Sequence, residues 1–181
     1  MNITAKNKVI DVADKKSGAL VTIESKIIHE KMLIATNYAN LFIRGIGGFG
    51  DTGELTPATF PKASKDTPDH SIELQTNENQ AHLYRLASGD LNPLHCDHLL
   101  AKEKAGFDEP ILHGLCTLGF TTRAFCDQYE TDYVKEIGTR FTAPYFPGEK
   151  LTVNFFEDAE QVVFETNVGE QTVAKGYFVP K

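Results

Sequence analysis

Through the first fifty positions the chain reads as strand. Val9 to Val12 opens the pattern, Val21, Ile23 and Ile27 alternate with Thr22, Glu24 and Lys26, and Ile34 to Ile43 closes it. A period of two sends successive side chains to opposite faces of a strand, so three antiparallel strands are predicted. Gly18 and His29-Glu30-Lys31 separate them, and the run Arg44-Gly45-Ile46-Gly47-Gly48-Phe49-Gly50 ends the third. From Asp51 to His70 no apolar period remains. Pro57, Pro61 and Pro68 stand there among Ser, Thr and Asp, which is linker composition.

Beyond the linker, Ser71 to Thr76 alternates again, and Asn77 to Ser88 places Ala81, Tyr84, Arg85 and Ser88 at helical spacing. A loop follows from Gly89 to His95. Asp97 to Ala105 reads as one short helix, with Asp97 placed to cap it and Gly106 to end it. The longest helical pattern starts at His113-Gly114, with Leu115, Leu118, Gly119, Thr122, Phe125, Cys126 and Tyr129 on the face expected to be buried. Four more strands are predicted at Ile137 to Phe141, Leu151 to Phe156, Val162 to Val168 and Val173 to Val179. A strand, a long helix and an antiparallel meander predict an α+β fold in which a sheet wraps one helix. The expected organisation is a strand-only segment over 1–50, a linker over 51–70 and a main domain over 71–181.

Composition narrows the function. With 18 Lys+Arg against 25 Asp+Glu, the net charge of −7 argues against a phosphate backbone as ligand, so no nucleic acid is expected. No apolar stretch approaches the ~18 residues of a membrane span, and no membrane partner is expected. Cys96, Cys116 and Cys126 are odd in number and unpaired in spacing, so they read as reduced thiols of an intracellular protein.

Ser88-Gly89-Asp90-Leu91-Asn92-Pro93-Leu94-His95 is the segment with chemistry in it. Pro93 fixes its own φ and biases Asn92 toward extended geometry, and Gly89 permits a sharp approach. A carboxylate and an imidazole can thereby face one cavity. Adding water across an α,β-unsaturated thioester requires a base for the water, an acid for the α carbon and donors for the enolate-like oxygen. Asp90 and His95 supply the first two. The backbone N–H of Gly114, where the long helix begins, supplies the third, because donors at a helix start have no internal partner and favour negative charge.

The run Tyr84-Arg85-Leu86-Ala87-Ser88-Gly89-Asp90-Leu91-Asn92-Pro93-Leu94-His95, with Ala101 six residues on, resembles the signature of the MaoC-like hydratases. Ala105-Gly106-Phe107-Asp108-Glu109-Pro110-Ile111-Leu112-His113-Gly114-Leu115-Cys116-Thr117 extends the likeness to their (R)-specific hydratase 2 type. The resemblance implies a hot-dog fold, a catalytic pair at Asp90 and His95, an oxyanion donor at Gly114 and substrate contacts at Asn92, Phe141 and Lys15. It implies an acyl-CoA thioester as substrate, hydration as the reaction and no metal or redox cofactor. A peroxisomal address is implied for a eukaryote and a cytoplasmic one otherwise. It also implies two hot-dog repeats, of which the first here holds only its later strands. An opening strand, a long helix and a His-Gly pair are missing from it, so a homo-oligomer or a partner chain is expected to complete it. The alternative is a non-catalytic acyl-CoA-binding or structural hot-dog module.

Plainer readings compete at several positions. Asp90 alone is ordinary turn chemistry, and His95 alone is more often structural. His95, Cys96, Asp97 and His98, with His113, have metal-ligand chemistry, but adjacent loop residues rarely converge on one ion. His98 is expected at a helix start and His113 in a loop. Gly45-x-Gly47-x-x-Gly50 spells a dinucleotide fingerprint, yet a proline-dotted linker follows it instead of a helix, so a bulge or tight bend is expected. Lys15 has a solvated-surface reading.

Overall fold

The three alternating segments before Gly50 form strands β1 (Ile3–Asp14), β2 (Gly18–His29) and β3 (Met32–Arg44) in a computed structural model that describes residues 2–50, 53 and 60–180. They pair antiparallel in the order β1-β2-β3. The chain divides into two units, Met1–Ala58 and Thr59–Lys181.

In the first unit the glycine run folds back onto the β1–β2 turn. The Asp14 carboxylate accepts the N–H groups of Lys16 (2.7 Å), Gly48 (3.0 Å) and Gly50 (2.9 Å). These donors, Gly48 first, hold its carboxyl below the usual aspartate range. Gly48 (φ 80°) and Gly50 (φ 101°) occupy left-handed backbone, and a Cβ on Gly47 would clash with the Lys16 carbonyl oxygen. The glycines are thus required by a tight bend and close approach, and the N–H groups of Gly48 and Gly50 are taken up by Asp14.

The linker expected over 51–70 falls partly on residues 51–52 and 54–59, which lie outside the described residues. Its last residues already join the second sheet: Asp69 N–H donates to Phe155 O (2.8 Å) and its carboxylate accepts Glu157 N–H (2.7 Å).

The second unit holds β4 (His70–Gln75), β5 (Glu136–Phe141), β6 (Lys150–Glu157), β7 (Val162–Val168) and β8 (Gln171–Val179). They form one antiparallel sheet in the order β4-β6-β7-β8-β5. Helix α1 (Gln80–Ser88) starts three residues later than the spacing predicts, because 77–79 form a turn in which Gln80 N–H reaches Asn77 O.

A long helix over Gly114–Gln128 packs its Ala124 and Phe125 against Val153, Phe155, Phe164 and Phe178 of the sheet. Phe125 stacks on Phe178 at 4.2 Å and 15°. Burial of each such ring contributes roughly 1.5–3 kcal/mol. This is the hot-dog arrangement.

Two sequence readings need correction. The segment from Asp97 to Ala105 is helical, with Asp97 capping its start and left-handed Gly106 ending it as expected, but it is one α turn, α2 (His98–Leu100), followed by a π turn over Ala101–Ala105. Ala101 is fully buried and its carbonyl accepts from both Gly106 and Phe107 N–H, which swings Phe107 into a cavity. Apolar spacing over so few residues does not separate the two helix types.

Helix α3 (Gly114–Gln128) buries Phe125 and packs Leu118, Cys126 and Tyr129 on the core as expected, but the rest of its buried face is Cys116, Thr117, Thr121 and Ala124. Leu115 is 61% exposed and Gly119 is exposed. Close approach to the sheet selects small residues here. Thr121 satisfies its hydroxyl with Thr117 O (3.1 Å) and Thr166 Oγ1 (2.7 Å), so a face carrying hydroxyls is buried at little cost.

Candidate active site

The loop after α1 is built by short side chains bonding to nearby backbone. Gly89 ends α1 in left-handed backbone (φ 73°), where only glycine is free of a Cβ penalty, and its N–H donates to Arg85 O. Ser88 Oγ donates to Tyr84 O (2.7 Å) and accepts Asp90 N–H (3.2 Å). Asp90 Oδ1 accepts Asn92 N–H (3.0 Å), and Asn92 Oδ1 accepts Leu94 N–H (3.1 Å). The second of these starts the 3₁₀ turn Pro93–His95, with Pro93 at its first position. Asn92 therefore shapes the loop.

The turn delivers His95 to the interior. Its Nδ1 lies 2.7 Å from Ile111 O. A carbonyl only accepts, so Nδ1 carries the proton and Nε2 of the neutral ring is left as an acceptor. Ile111 is itself held, since Leu112 N–H donates to Tyr145 O (2.7 Å) and the Tyr145 hydroxyl bonds Thr76 Oγ1 (2.6 Å) and Glu149 O (2.7 Å).

Gly114 is the first residue of α3, where its N–H has no acceptor within the helix. No side chain caps α3 at its N-cap, His113. A Cβ on Gly114 would lie 2.9–3.0 Å from the Phe141 ring, so that ring lies over Gly114. His95, Gly114 and Phe141 line one cavity of about 320 Å³ with Phe107, Ile111 and Val173 among its apolar walls. That size lies in the range of small-molecule sites.

His113 lies just outside α3, as expected, but its ring is buried at the site. It is the N-cap of α3, its carbonyl accepting Cys116 N–H (3.0 Å) and Thr117 N–H (3.2 Å), and it is only 2% exposed. Its ring stacks on His95 at 3.7 Å and 26° and meets Tyr84 at 4.8 Å. Asp90, His95 and His113 each offer one polar atom within 4.8 Å of the other two. Of the cluster weighed from the sequence, His95 and His113 belong to this group. His98 instead pairs with Glu109 (2.7 Å), and Asp97 caps Leu100 N–H (3.1 Å). The signal that could have found His113 was its place between a catalytic-type loop and a helix start.

Burial, and then the charge of His95, lower the His113 pKa from its ordinary 6.5, against the opposing pull of Asp90. The unfolded chain therefore takes up this proton before the folded one does. The group's contribution to stability is full above the ordinary histidine value and declines as pH falls from there toward the lower folded value. Thermal melts should show the protein losing stability as pH falls below the ordinary histidine value of 6.5, and His113→Phe, which keeps a ring without titrating, should show a shallower loss. An unchanged slope would contradict the burial account.

Of the residues singled out in the sequence, Asp90 and His95 come together, and His95, Gly114 and Phe141 share the cavity. Asn92 lies in the same loop. Lys15 lies in the β1–β2 turn of the first unit, exposed, with its backbone bonded to Gly18 and Ser17.

Residues 59–176 match the profile of the MaoC like domain. The chain is 40% identical over 179 residues to the peroxisomal multifunctional enzyme type 2 of Drosophila melanogaster, covering 94% of this chain and 30% of that protein. It is 42% identical over 160 residues to the probable enoyl-CoA hydratase 2 of Dictyostelium discoideum, covering 83% and 53%. The crystal structure of a MaoC-like dehydratase from Phytophthora capsici superposes with a TM-score of 0.89 at 35% identity, covering 99% of this chain and 64% of that one. The chain thus spans about a third to two thirds of the length of these relatives. With the profile covering well over half of its length, and the loop and helix start that it spans brought to one cavity, the chain belongs to the MaoC-like domain family.

Proposed function

We propose that the chain is an (R)-specific 2-enoyl-CoA hydratase of fatty-acid β-oxidation. It adds water reversibly and syn to a trans-2-enoyl-CoA, giving the (3R)-3-hydroxyacyl-CoA. The observation that carries this is that the Asp90 carboxylate meets His95, an imidazole with a free acceptor nitrogen, and that His95 shares one apolar-walled cavity with the helix-start N–H of Gly114. The names of the relatives, enoyl-CoA hydratase 2 and multifunctional enzyme type 2, support the same reading.

In this mechanism the thioester carbonyl oxygen lies at Gly114 N–H, which stabilises the negative charge that develops there when C3 is attacked. Asp90 and His95 hold one water. Its oxygen bonds to C3, one O–H bond breaks, and the pair returns the proton to C2 on the same face. Both new bonds form on the side where the water was held, which makes the addition syn. The chemistry requires no metal or redox cofactor, and CoA enters as part of the substrate. Asn92 holds the loop against the acyl-CoA, Phe141 lies beside the thioester, and Lys15 contacts the CoA portion.

The first unit is read as a partial hot-dog repeat over 1–50, joined by the linker 51–70 to the catalytic domain 71–181. Its sheet leaves Met32 64%, Val9 54%, Leu33 54% and Ile34 51% exposed, more apolar area than a finished sheet face presents. A second copy or a partner chain that completes the repeat accounts for it. The protein acts inside the cell, in the peroxisome of a eukaryote, as the names of its relatives suggest, and in the cytoplasm otherwise.

Turnover tests the reading. The 181-residue chain should hydrate crotonyl-CoA in the presence of EDTA, and chiral analysis should find the 3R product. Acyl-CoA binding with no turnover would favour the non-catalytic module instead.

A further inference from the structure

The mechanism above uses one carboxylate and one imidazole, yet a second imidazole lies against both. His113 is buried, and neither of its ring nitrogens has a partner within strict hydrogen-bond geometry among the described residues, although the Asp90 backbone carbonyl lies near enough to pull its pKa upward. Buried polar atoms are nearly always partnered, so a pair of orphaned nitrogens beside a reactive loop calls for an occupant.

The geometry says what fits. One oxygen of Asp90 and one nitrogen each of His95 and His113 lie within 4.8 Å of one another. Three atoms so spaced lie about 2.8 Å or less from a common centre, which is hydrogen-bond length. A single water oxygen near that centre can bridge all three. Water has two hydrogens and two lone pairs. Asp90 accepts one hydrogen, and His95 Nε2, free because Nδ1 is engaged by Ile111 O, accepts the other. The third group must then donate to a lone pair, which a neutral imidazole N–H can do. One lone pair of the water is left, and it is the one that attacks.

We propose that His113 is a third catalytic residue, whose N–H holds the attacking water between Asp90 and His95 and leaves one lone pair directed at C3. The proposal rests on the hydratase reading. In the reverse direction the same N–H donates to the 3-hydroxyl oxygen as its bond to C3 breaks and hydroxide character develops. The proton lost from C2 completes the departing water, so atoms balance. Stacking on His95 and Tyr84 holds the ring in place, and the surrounding charged or titratable groups include Asp90, His95, Arg85 and Tyr84.

The test compares crotonyl-CoA hydration by the full chain with that of two variants. His113→Phe keeps a ring on His95 but has no N–H, and kcat should fall about 100-fold with KM changed less than about threefold. His113→Gln regains an amide N–H and should recover about tenfold of that loss. A wedge that only props His95 would leave His113→Phe with near wild-type kcat, and that result overturns the proposal alone. An inactive wild-type chain overturns the hydratase reading and this inference with it. If a variant misfolds or both lose equally, the wild-type ring decides: in ¹⁵N spectra the His113 nitrogens should shift when 3-hydroxybutyryl-CoA binds, and unmoved His113 signals overturn the proposal.

Discussion

Asp90→Asn should lower kcat for crotonyl-CoA hydration by about 10³-fold while leaving the fold and the melting temperature nearly unchanged. The asparagine carbonyl oxygen can still accept Asn92 N–H, the bond that holds the loop at 3.0 Å, so only the carboxylate's charge and proton affinity are lost. His95→Asn makes a matched partner. Its amide can still donate toward Ile111 O, which the imidazole reaches at 2.7 Å, but the acceptor at Nε2 is gone. If the two groups act as a unit on one water, the double variant loses little more than either single one. Independent losses that multiply would mean that the residues serve different steps. Full activity in Asp90→Asn would remove the carboxylate from the mechanism.

Gly114→Ala should cost about 10²-fold in kcat/KM, although the backbone N–H itself remains. The new methyl would lie 2.9 Å from the Phe141 ring, closer than carbon atoms pack. Either the ring moves or α3 does, and in both cases the space for a thioester at the N–H shrinks. Adding Phe141→Ala to Gly114→Ala should then restore part of the lost activity, because the clash is with a side chain that is 43% exposed and replaceable. No recovery in the double variant would mean that the methyl acts by a route other than crowding, such as disturbing the start of the helix.

Most of the strand framework was legible because alternation is a local property. Val162 to Val168 was placed to the residue, and the hairpin turns fell at Asp158-Ala159 and Gly169-Glu170. The loop was legible for a different reason: proline, glycine and two Asx-type turns shape it from within six residues. The buried face of α3 was legible in part: Phe125 is buried and Leu118, Cys126 and Tyr129 pack on the core as expected, but apolarity is a poor guide where a helix must approach a sheet closely. Thr117 and Thr121 lie inward and Leu115 outward, a choice made by the residues across the contact, Thr166 among them. His113 escaped for a related reason. Its stacking on His95 depends on Ile111 and Tyr145 fixing the second ring, which are contacts between segments far apart in the chain.

The glycine run shows the same limit from the other side. Context ruled out a dinucleotide site there, but only the fold shows the N–H groups of Gly48 and Gly50 on Asp14.

The crystal structure of the protein soaked with a (3R)-3-hydroxyacyl-CoA tests the central claim most directly. The account predicts the 3-hydroxyl oxygen within hydrogen-bond reach of both Asp90 and His95, and the thioester oxygen at Gly114 N–H beneath Phe141. Density that places the thioester away from the start of α3, or the hydroxyl out of reach of the Asp90 carboxylate, would contradict it.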